Sequence, residues 1–192
     1  MRITKIMLLA VTGWMVVAGG LRAQDTNLYL VQPPPTVLET LENTPDQLMV
    51  KGSEPIGTVS TGGAVITVIC KEDTMVSLNR KDYGIVVQIS VNGQPDDRTV
   101  VDYDELDPLL GTMDYLANIN RSVTSLSGFD AGFTTKGGLR VSAFSSRRVG
   151  QIELALRTSR MQKGMLLTTD QLAQFHSLVG QAKQKLDALK KS

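Results

Sequence analysis

The chain has one cysteine, Cys70, and one histidine, His176, among its 192 residues. A lone cysteine cannot form an intrachain disulfide, so the fold must depend on its apolar core. Cys70 follows Val-Ile in a strand-like run and is interpreted as a buried, unreactive thiol, with an intermolecular disulfide as the alternative.

One histidine and one distant cysteine provide no zinc-ligand spacing. No serine lies in a Gly-x-Ser-x-Gly elbow, so nothing indicates a Ser-His-Asp hydrolase, and His176 is interpreted as structural.

Long hydrophobic runs are absent after the first 23 residues. That N-terminal stretch has Arg2 and Lys5, then an apolar run over 6–17, and ends on the small residue Ala23 before Gln24. These features predict a signal peptide at 1–23, cleaved after Ala23, and a protein exported to the periplasm or secreted. The run is shorter than the roughly 20 residues of a membrane span. An uncleaved anchor is the alternative, and the mature protein is expected to have no membrane span.

Two later segments begin helices in the same way, 66 residues apart. Asp102 and Glu105 have the spacing of a capping box, in which each side chain bonds the other residue's main-chain N–H, and Thr168 and Gln171 repeat it. Apolar residues at spacings of three and four follow both starts: Leu106, Leu109, Met113 and Leu116 in the first, and Leu172, Phe175, Val179 and Ala182 in the second. The proline at 108 predicts either a kink or a helix that is capped by Asp107 and has Pro108 at its first position.

Alternating apolar residues precede both helices and predict strands. We therefore expect an α+β fold of two related units, each with antiparallel strands followed by a helix, and with the helices packed on one sheet face. Residues 24–47 contain Pro33-Pro34-Pro35 and are expected to form an extended leader, in which residues 36–41 could make one or two helical turns before Pro45. A single domain over 48–192 would then contain two repeats, 48–119 and 128–192, joined by a linker at 120–127.

Charge divides unequally between the halves. Residues 24–127 contain 6 basic and 15 acidic side chains, whereas residues 128–192 contain 11 basic and 4 acidic ones. This asymmetry predicts weak head-to-tail self-association at low salt, or an anionic partner for the basic half. The basic candidates for binding a polyanion are Arg140, Arg147, Arg148, Arg157, Arg160 and Lys163.

Six acidic residues occur between positions 96 and 107: Asp96, Asp97, Asp102, Asp104, Glu105 and Asp107. Such a run could bind calcium, or serve a metal-dependent hydrolase. It lacks the central glycine and distal glutamate of an EF-hand loop. A helix start explains several of these carboxylates without any ion, because acidic side chains stabilise the first turn. No catalytic residue, metal site or cofactor is predicted.

The segments VDYDELDPLLGTMDYL, FTTKGGLRVSAFSS and DQLAQFHSLVGQAKQKLDAL resemble a group of exported bacterial proteins of uncharacterised function. That resemblance implies export and no particular activity. The order of strands and then a helix, twice, is similar in topology to the tandem single-strand nucleic-acid-binding repeats of the Pur-alpha and PC4 type. None of their residue motifs is present, and export argues against a nucleic-acid partner. The sequence thus predicts an exported, non-catalytic binding or structural module, with the metal-dependent enzyme and the polyanion-binding module as alternatives.

Overall fold

The computed structural model describes residues 35–145, 151–161 and 163–191, and the side chains at 94–96 are not among those described. The predicted signal peptide and residues 24–34 of the predicted leader lie outside these ranges. The helices are α1 (Val37–Glu42), α2 (Leu106–Ala117) and α3 (Thr169–Lys190). The strands are β1 (Met49–Thr61), β2 (Ala64–Met75), β3 (Arg80–Val91), β4 (Gln94–Asp102), β5 (Asp130–Thr134), β6 (Arg140–Ser145), β7 (Ile152–Arg157) and β8 (Met165–Leu167).

The strands form two antiparallel sheets of four, each with its strands in sequence order. The first sheet is β1-β2-β3-β4 and precedes α2, and the second is β5-β6-β7-β8 and precedes α3. The predicted α+β class, with antiparallel strands followed by a helix in each unit, is confirmed. Strand β5 was not predicted, because its five residues include only Ala131 and Phe133 as a short apolar alternation.

Each helix packs mainly on the sheet of the other unit. Helix α3 lies along β1, β2 and β3, and α2 lies against β5 and β6 and against α3. Near the middle of α3, Leu178 packs so closely on Gly57 of β1 that a Cβ there would lie 2.7 Å from Leu178 Cδ2. One turn further, Cys70 Sγ of β2 lies 3.6 Å from the carbonyl oxygen of Ala182. The two units therefore interlock through exchanged helices and share one core.

That core is built from one face of each sheet and the apolar stripes of both helices. In the first sheet Ile66, Val68 and Cys70 alternate inward along β2, as the two-residue period of a strand requires. The α3 stripe contributes Leu172, Phe175, Val179, Ala182 and Leu186, all buried. No helix in the described part of the chain is long and apolar enough to cross a membrane.

The opposite face of the first sheet is covered by α1. Thr36 caps this helix in a capping box with Glu39, and the fully buried Leu38 packs with Val86 and Val100. The short helical stretch that the sequence allows at 36–41 is therefore present, whereas the predicted domain start at 48 needs correction, because the packed part of the chain already includes Thr36. The short helix forms here because its cap and its one apolar face both find partners.

Helix α2 begins differently from either alternative suggested by its proline. A 3₁₀ turn over Tyr103–Glu105 precedes it, and the α-helix starts at Leu106. Pro108 then falls within the first turn, where a main-chain N–H has no helical acceptor. The missing N–H of the proline therefore costs the helix no hydrogen bond. Asn118 ends the helix as its C-cap.

Candidate functional site

Asp102, central to the predicted acidic run, connects three segments. Its side chain is 2% exposed. The N–H of Val37 donates to Oδ2 at 2.8 Å, and the N–H of Leu38 donates to Oδ1 at 3.3 Å. These amides are the unpaired donors at the start of α1. Asp102 also belongs to the capping box with Glu105 before α2, so one carboxylate joins the starts of two helices.

Glu105 connects the two units. Its Oε1 accepts a 2.7 Å hydrogen bond from the N–H of Lys136, and its Oε2 accepts one of 3.3 Å from the N–H of Asp102. Burial raises the pKa of the Glu105 carboxyl above its ordinary value. Beside it, Lys136 Nζ lies 2.8 Å from the exposed carboxylate of Asp104. Glu105 therefore holds the 135–138 turn of the second unit against the start of α2.

The other described acids of this run point to separate partners. Buried Asp97 accepts a hydrogen bond from the hydroxyl of Thr158 in the second unit, and Asp107 pairs with Lys183 of α3 at 3.4 Å. The Asp96 side chain lies outside the described set. Among the described residues, no three His, Cys, Asp or Glu side chains converge in a way that could hold a metal ion.

Cys70 and His176 both lie at helix contacts. Burial raises the pKa of the Cys70 thiol to about 11, so the nucleophilic thiolate is scarce at neutral pH. His176 Nε2 lies 3.2 Å from Asp114 Oδ1, which places the pair across the contact between α3 and α2. His176 Nε2 makes no hydrogen bond within the described structure, so the contact is a close approach of two polar groups.

A buried pair that sequence reasoning missed lies under α1. Lys71 is 4% exposed and Asp73 is fully buried, and Lys71 Nζ lies 3.1 Å from Asp73 Oδ2 and also contacts Glu42 of α1. Burial raises the pKa of the Asp73 carboxyl, against the opposing effect of Lys71. Lysine and aspartate two residues apart on β2 share one face, which is the signal that could have revealed the pair.

The predicted polyanion-binding residues are divided by the structure. Arg140 and Arg157 are directly opposite on β6 and β7, on the face of the second sheet turned away from the helices. Arg140 is already engaged, since it bonds Asp130 at 2.9 Å and Thr134 at 3.3 Å. Arg157, Arg160 and Lys163 are exposed, and within the described ranges none has an acidic partner. Arg147 and Arg148 lie outside the described residues.

A cleft of about 240 Å³ was not predicted. It opens where β4 ends and the chain turns away into α2. Its lining residues are Val37, Lys81, Asp82, Tyr83, Asp102, Tyr103, Asp104 and Lys190. No pattern in the sequence marks this cleft, because its walls come from α1, β3, the 3₁₀ turn and the end of α3. Both units therefore contribute to it.

Two tyrosines form the cleft wall nearest α3. Tyr103 donates its hydroxyl to Asp187, and the resulting hydrogen bond raises the pKa of that hydroxyl. Lys190 Nζ lies 3.6 Å from the centre of the Tyr103 ring, a cation–π contact. Tyr83 packs against the core beside it, and burial raises the pKa of its hydroxyl. Contacts within the protein itself therefore hold both tyrosines of this wall.

Comparison with known proteins adds no relative to these observations. No protein-family model matches the chain, and neither the curated proteins nor the solved structures contain a significant match. The resemblances drawn from the sequence remain predictions.

Proposed function

We propose that this chain is an exported, non-catalytic binding module. The observation that carries the proposal is the structural use of its reactive side chains. Asp102 and Glu105 accept hydrogen bonds from main-chain amides, and Cys70 is a buried thiol with a raised pKa. An enzyme would need such groups free to face a substrate. The cleft at the end of β4 offers instead a concave surface of mixed polarity, as binding sites do.

The experiment is a binding assay that also follows the fate of the ligand. Protein comprising residues 24–192 is incubated with heparin or with short peptides, its melting temperature is measured, and the ligand is recovered for mass analysis. A ligand that binds only the native state raises the melting temperature by mass action. Recovery of that ligand unchanged supports the proposal. Conversion of the ligand, abolished by a chelator, would favour the metal-dependent hydrolase instead.

Export is part of the proposal and is tested separately. The signal-like segment predicts a mature protein that starts at Gln24 after cleavage behind Ala23. Mass spectrometry of the protein from the exported fraction gives the mature mass. A mass that still includes Trp14 would contradict cleavage.

A second candidate function is polyanion binding through the basic half. It is favoured by the exposed Arg157, Arg160 and Lys163, which have no acidic partner in the described part of the chain. Binding of this kind weakens steeply with salt, because each neutralised anionic group releases a counterion. Retention on heparin should therefore fall as salt rises, and should fall further in Arg157→Glu/Arg160→Glu. Unchanged retention of that double variant would rule out this surface.

A further inference from the structure

The edge of the first sheet is open beside the cleft. Strand β3 begins at Arg80, but its pairing with β4 begins only at Gly84, opposite Asp102. Beyond Asp102 the chain enters the 3₁₀ turn and leaves the sheet. In the described structure, residues 80–83 of β3 therefore have a paired strand on the β2 side alone. A strand edge of this kind presents main-chain N–H and C=O groups to which an extended peptide can pair.

The cleft lies directly at this edge. Lys81, Asp82 and Tyr83 of the unpaired stretch all line it. Its far side is formed by the turn at Tyr103 and Asp104 and by Lys190 at the end of α3. Its volume of about 240 Å³ is just below the ~300–1,000 Å³ range of drug-sized sites, so it suits a short segment. An incoming peptide would continue the path that β4 leaves.

The two sides of the cleft differ in charge. Lys81 lies on the same strand face as Tyr83, which packs towards the core under α3, and Lys190 lies against this side. Asp82 points to the opposite face, because successive strand residues alternate. On that face lies α1, whose Val37 also lines the cleft. One side of the cleft therefore carries Lys81, Lys190 and the tyrosines, and the other carries Asp82, which already pairs with Arg80.

The charges near the opening can exchange partners. Lys81 lies 3.4 Å from Glu72, Arg80 lies 2.7 Å from Asp82, and Lys136 lies 2.8 Å from Asp104, with each of these basic side chains more than a third exposed. Exposed pairs of this kind contribute little to stability. A ligand could replace them without disturbing the fold, whereas Asp102 is committed to α1.

From these observations we propose that residues 80–83 of β3 bind an extended peptide by strand addition, and that this peptide alternates acidic and basic residues. Its acidic side chains would face Lys81 and Lys190, and its basic side chains would face Asp82 and Asp104. The inference rests on the proposed binding function and names its partner. Main-chain hydrogen bonds supply attraction along the edge, and the alternation of charge selects the sequence and register.

The test compares two fluorescein-labelled, end-blocked octapeptides of identical composition. The first has four Glu-Lys repeats, so that an extended chain places all glutamates on one face and all lysines on the other. The second has two Glu-Glu-Lys-Lys repeats, which mix the charges on both faces. Exposed pairs each contribute a factor of up to about five and here replace existing pairs, so the alternating peptide should bind severalfold tighter, up to about tenfold, by fluorescence anisotropy. Equal affinities, or no binding, would overturn the inference.

Strand addition has a specific signature in the peptide backbone. Alternate N–H groups of a strand point to the same edge, so in the alternating peptide the glutamate N–H groups point to one edge and the lysine N–H groups to the other. N-methylation of the set that faces β3 should abolish binding, and N-methylation of the other set should be tolerated. Loss of binding with both methylated peptides, or with neither, contradicts strand pairing. On the protein, Lys81→Glu should remove the preference for the alternating peptide. The matched control is Arg121→Glu, an exposed residue beyond the far end of α2 that does not line the cleft, with the same change in charge, and it should retain the preference.

The outcomes separate this inference from the binding function on which it rests. If the peptides fail but heparin raises the melting temperature and is recovered unchanged, only the strand-addition site is wrong. If the alternating peptide binds and is cleaved, the site stands and the non-catalytic function fails. If Lys81→Glu and Arg121→Glu behave alike, the cleft is not the binding surface.

Discussion

The main-chain N–H of Lys136 donates a 2.7 Å hydrogen bond to Oε1 of Glu105, and this contact joins the second unit to the start of α2. Glu105 is 7% exposed, and its loss would leave the part-buried amide of Lys136 without an acceptor. We expect Glu105→Ala to lower the free energy of unfolding by about 1–3 kcal/mol, measured by urea denaturation. The control is Asp104→Ala, whose exposed pair with Lys136 should contribute within about 1 kcal/mol. Equal effects of the two variants would contradict the connecting role of Glu105.

The same carboxylate gives a prediction for pH. Because burial raises the pKa of Glu105, the folded protein binds its proton more tightly than the unfolded chain does. Stability from this group is therefore present below the ordinary pKa and is lost as pH rises through the raised one. The free energy of unfolding of wild type minus that of Glu105→Gln should decrease across this interval, measured by urea denaturation at several pH values. A difference that increases with pH would show that the hydrogen bonds outweigh burial.

The local rules of sequence predicted the helix starts well. Thr168 accepts a 3.2 Å bond from the N–H of Gln171, and the return bond from the Thr168 N–H to the Gln171 side chain is 2.8 Å. Such contacts span three residues, so spacing alone reveals them. The apolar period likewise identified the buried stripe of α3, including Phe175 and Val179. The polyanion surface and the relation between the repeats stay predictions.

Helix exchange and the cleft could not be predicted in this way. The apolar face of α3 would pack equally well on either sheet. Only tertiary contacts such as that of Leu178 with Gly57 show which sheet it covers. Similarly, Tyr83 and Tyr103 are 20 positions apart and meet Lys190 only after the sheet and α3 have packed. The packing of α1 was missed because the buried acceptor for its amides, Asp102, lies over 60 positions away.

The Thr168 cap predicts a measurable contribution to stability. Thr168→Ala should lower the free energy of unfolding by about 1 kcal/mol, because the N–H of Gln171 loses its acceptor. Thr168→Ser retains the hydroxyl and is the matched control. Chemical denaturation of wild type and the two variants gives the comparison. An unchanged midpoint for the alanine variant would show that the Thr168 side chain does not stabilise the helix start.

The sequence has two Gly-Gly turns that differ in their surroundings, Gly62-Gly63 and Gly137-Gly138, and this difference predicts different tolerance to alanine. A Cβ on Gly137 would overlap the carbonyl oxygen of Val100, whereas a Cβ on Gly62 would meet nothing within 4 Å. Thr99 Oγ1 also donates a 2.6 Å bond to the Gly137 carbonyl, so this turn cannot shift freely. Gly137→Ala should destabilise by about 1–3 kcal/mol or more, and Gly62→Ala should change stability little. Thermal melts that show equal tolerance would contradict the close approach of this turn to β4.

The exchange of helices predicts which strands lose protection from hydrogen exchange when a side chain of each helix is truncated. Leu178→Ala removes the side chain that packs on Gly57, so amide hydrogen exchange should accelerate most in β1 and β2. Met113 is a buried residue of α2, and α2 covers β5 and β6. Met113→Ala should therefore accelerate amide hydrogen exchange most in those two strands. We expect each substitution to lower the free energy of unfolding by an amount towards the lower end of about 2–5 kcal/mol, which leaves the native state populated. Exchange followed by mass spectrometry resolves the strands. If Leu178→Ala acted mainly on β6 and β7, and Met113→Ala on β2 and β3, each helix would belong to its own sheet and the interlocked arrangement would be wrong.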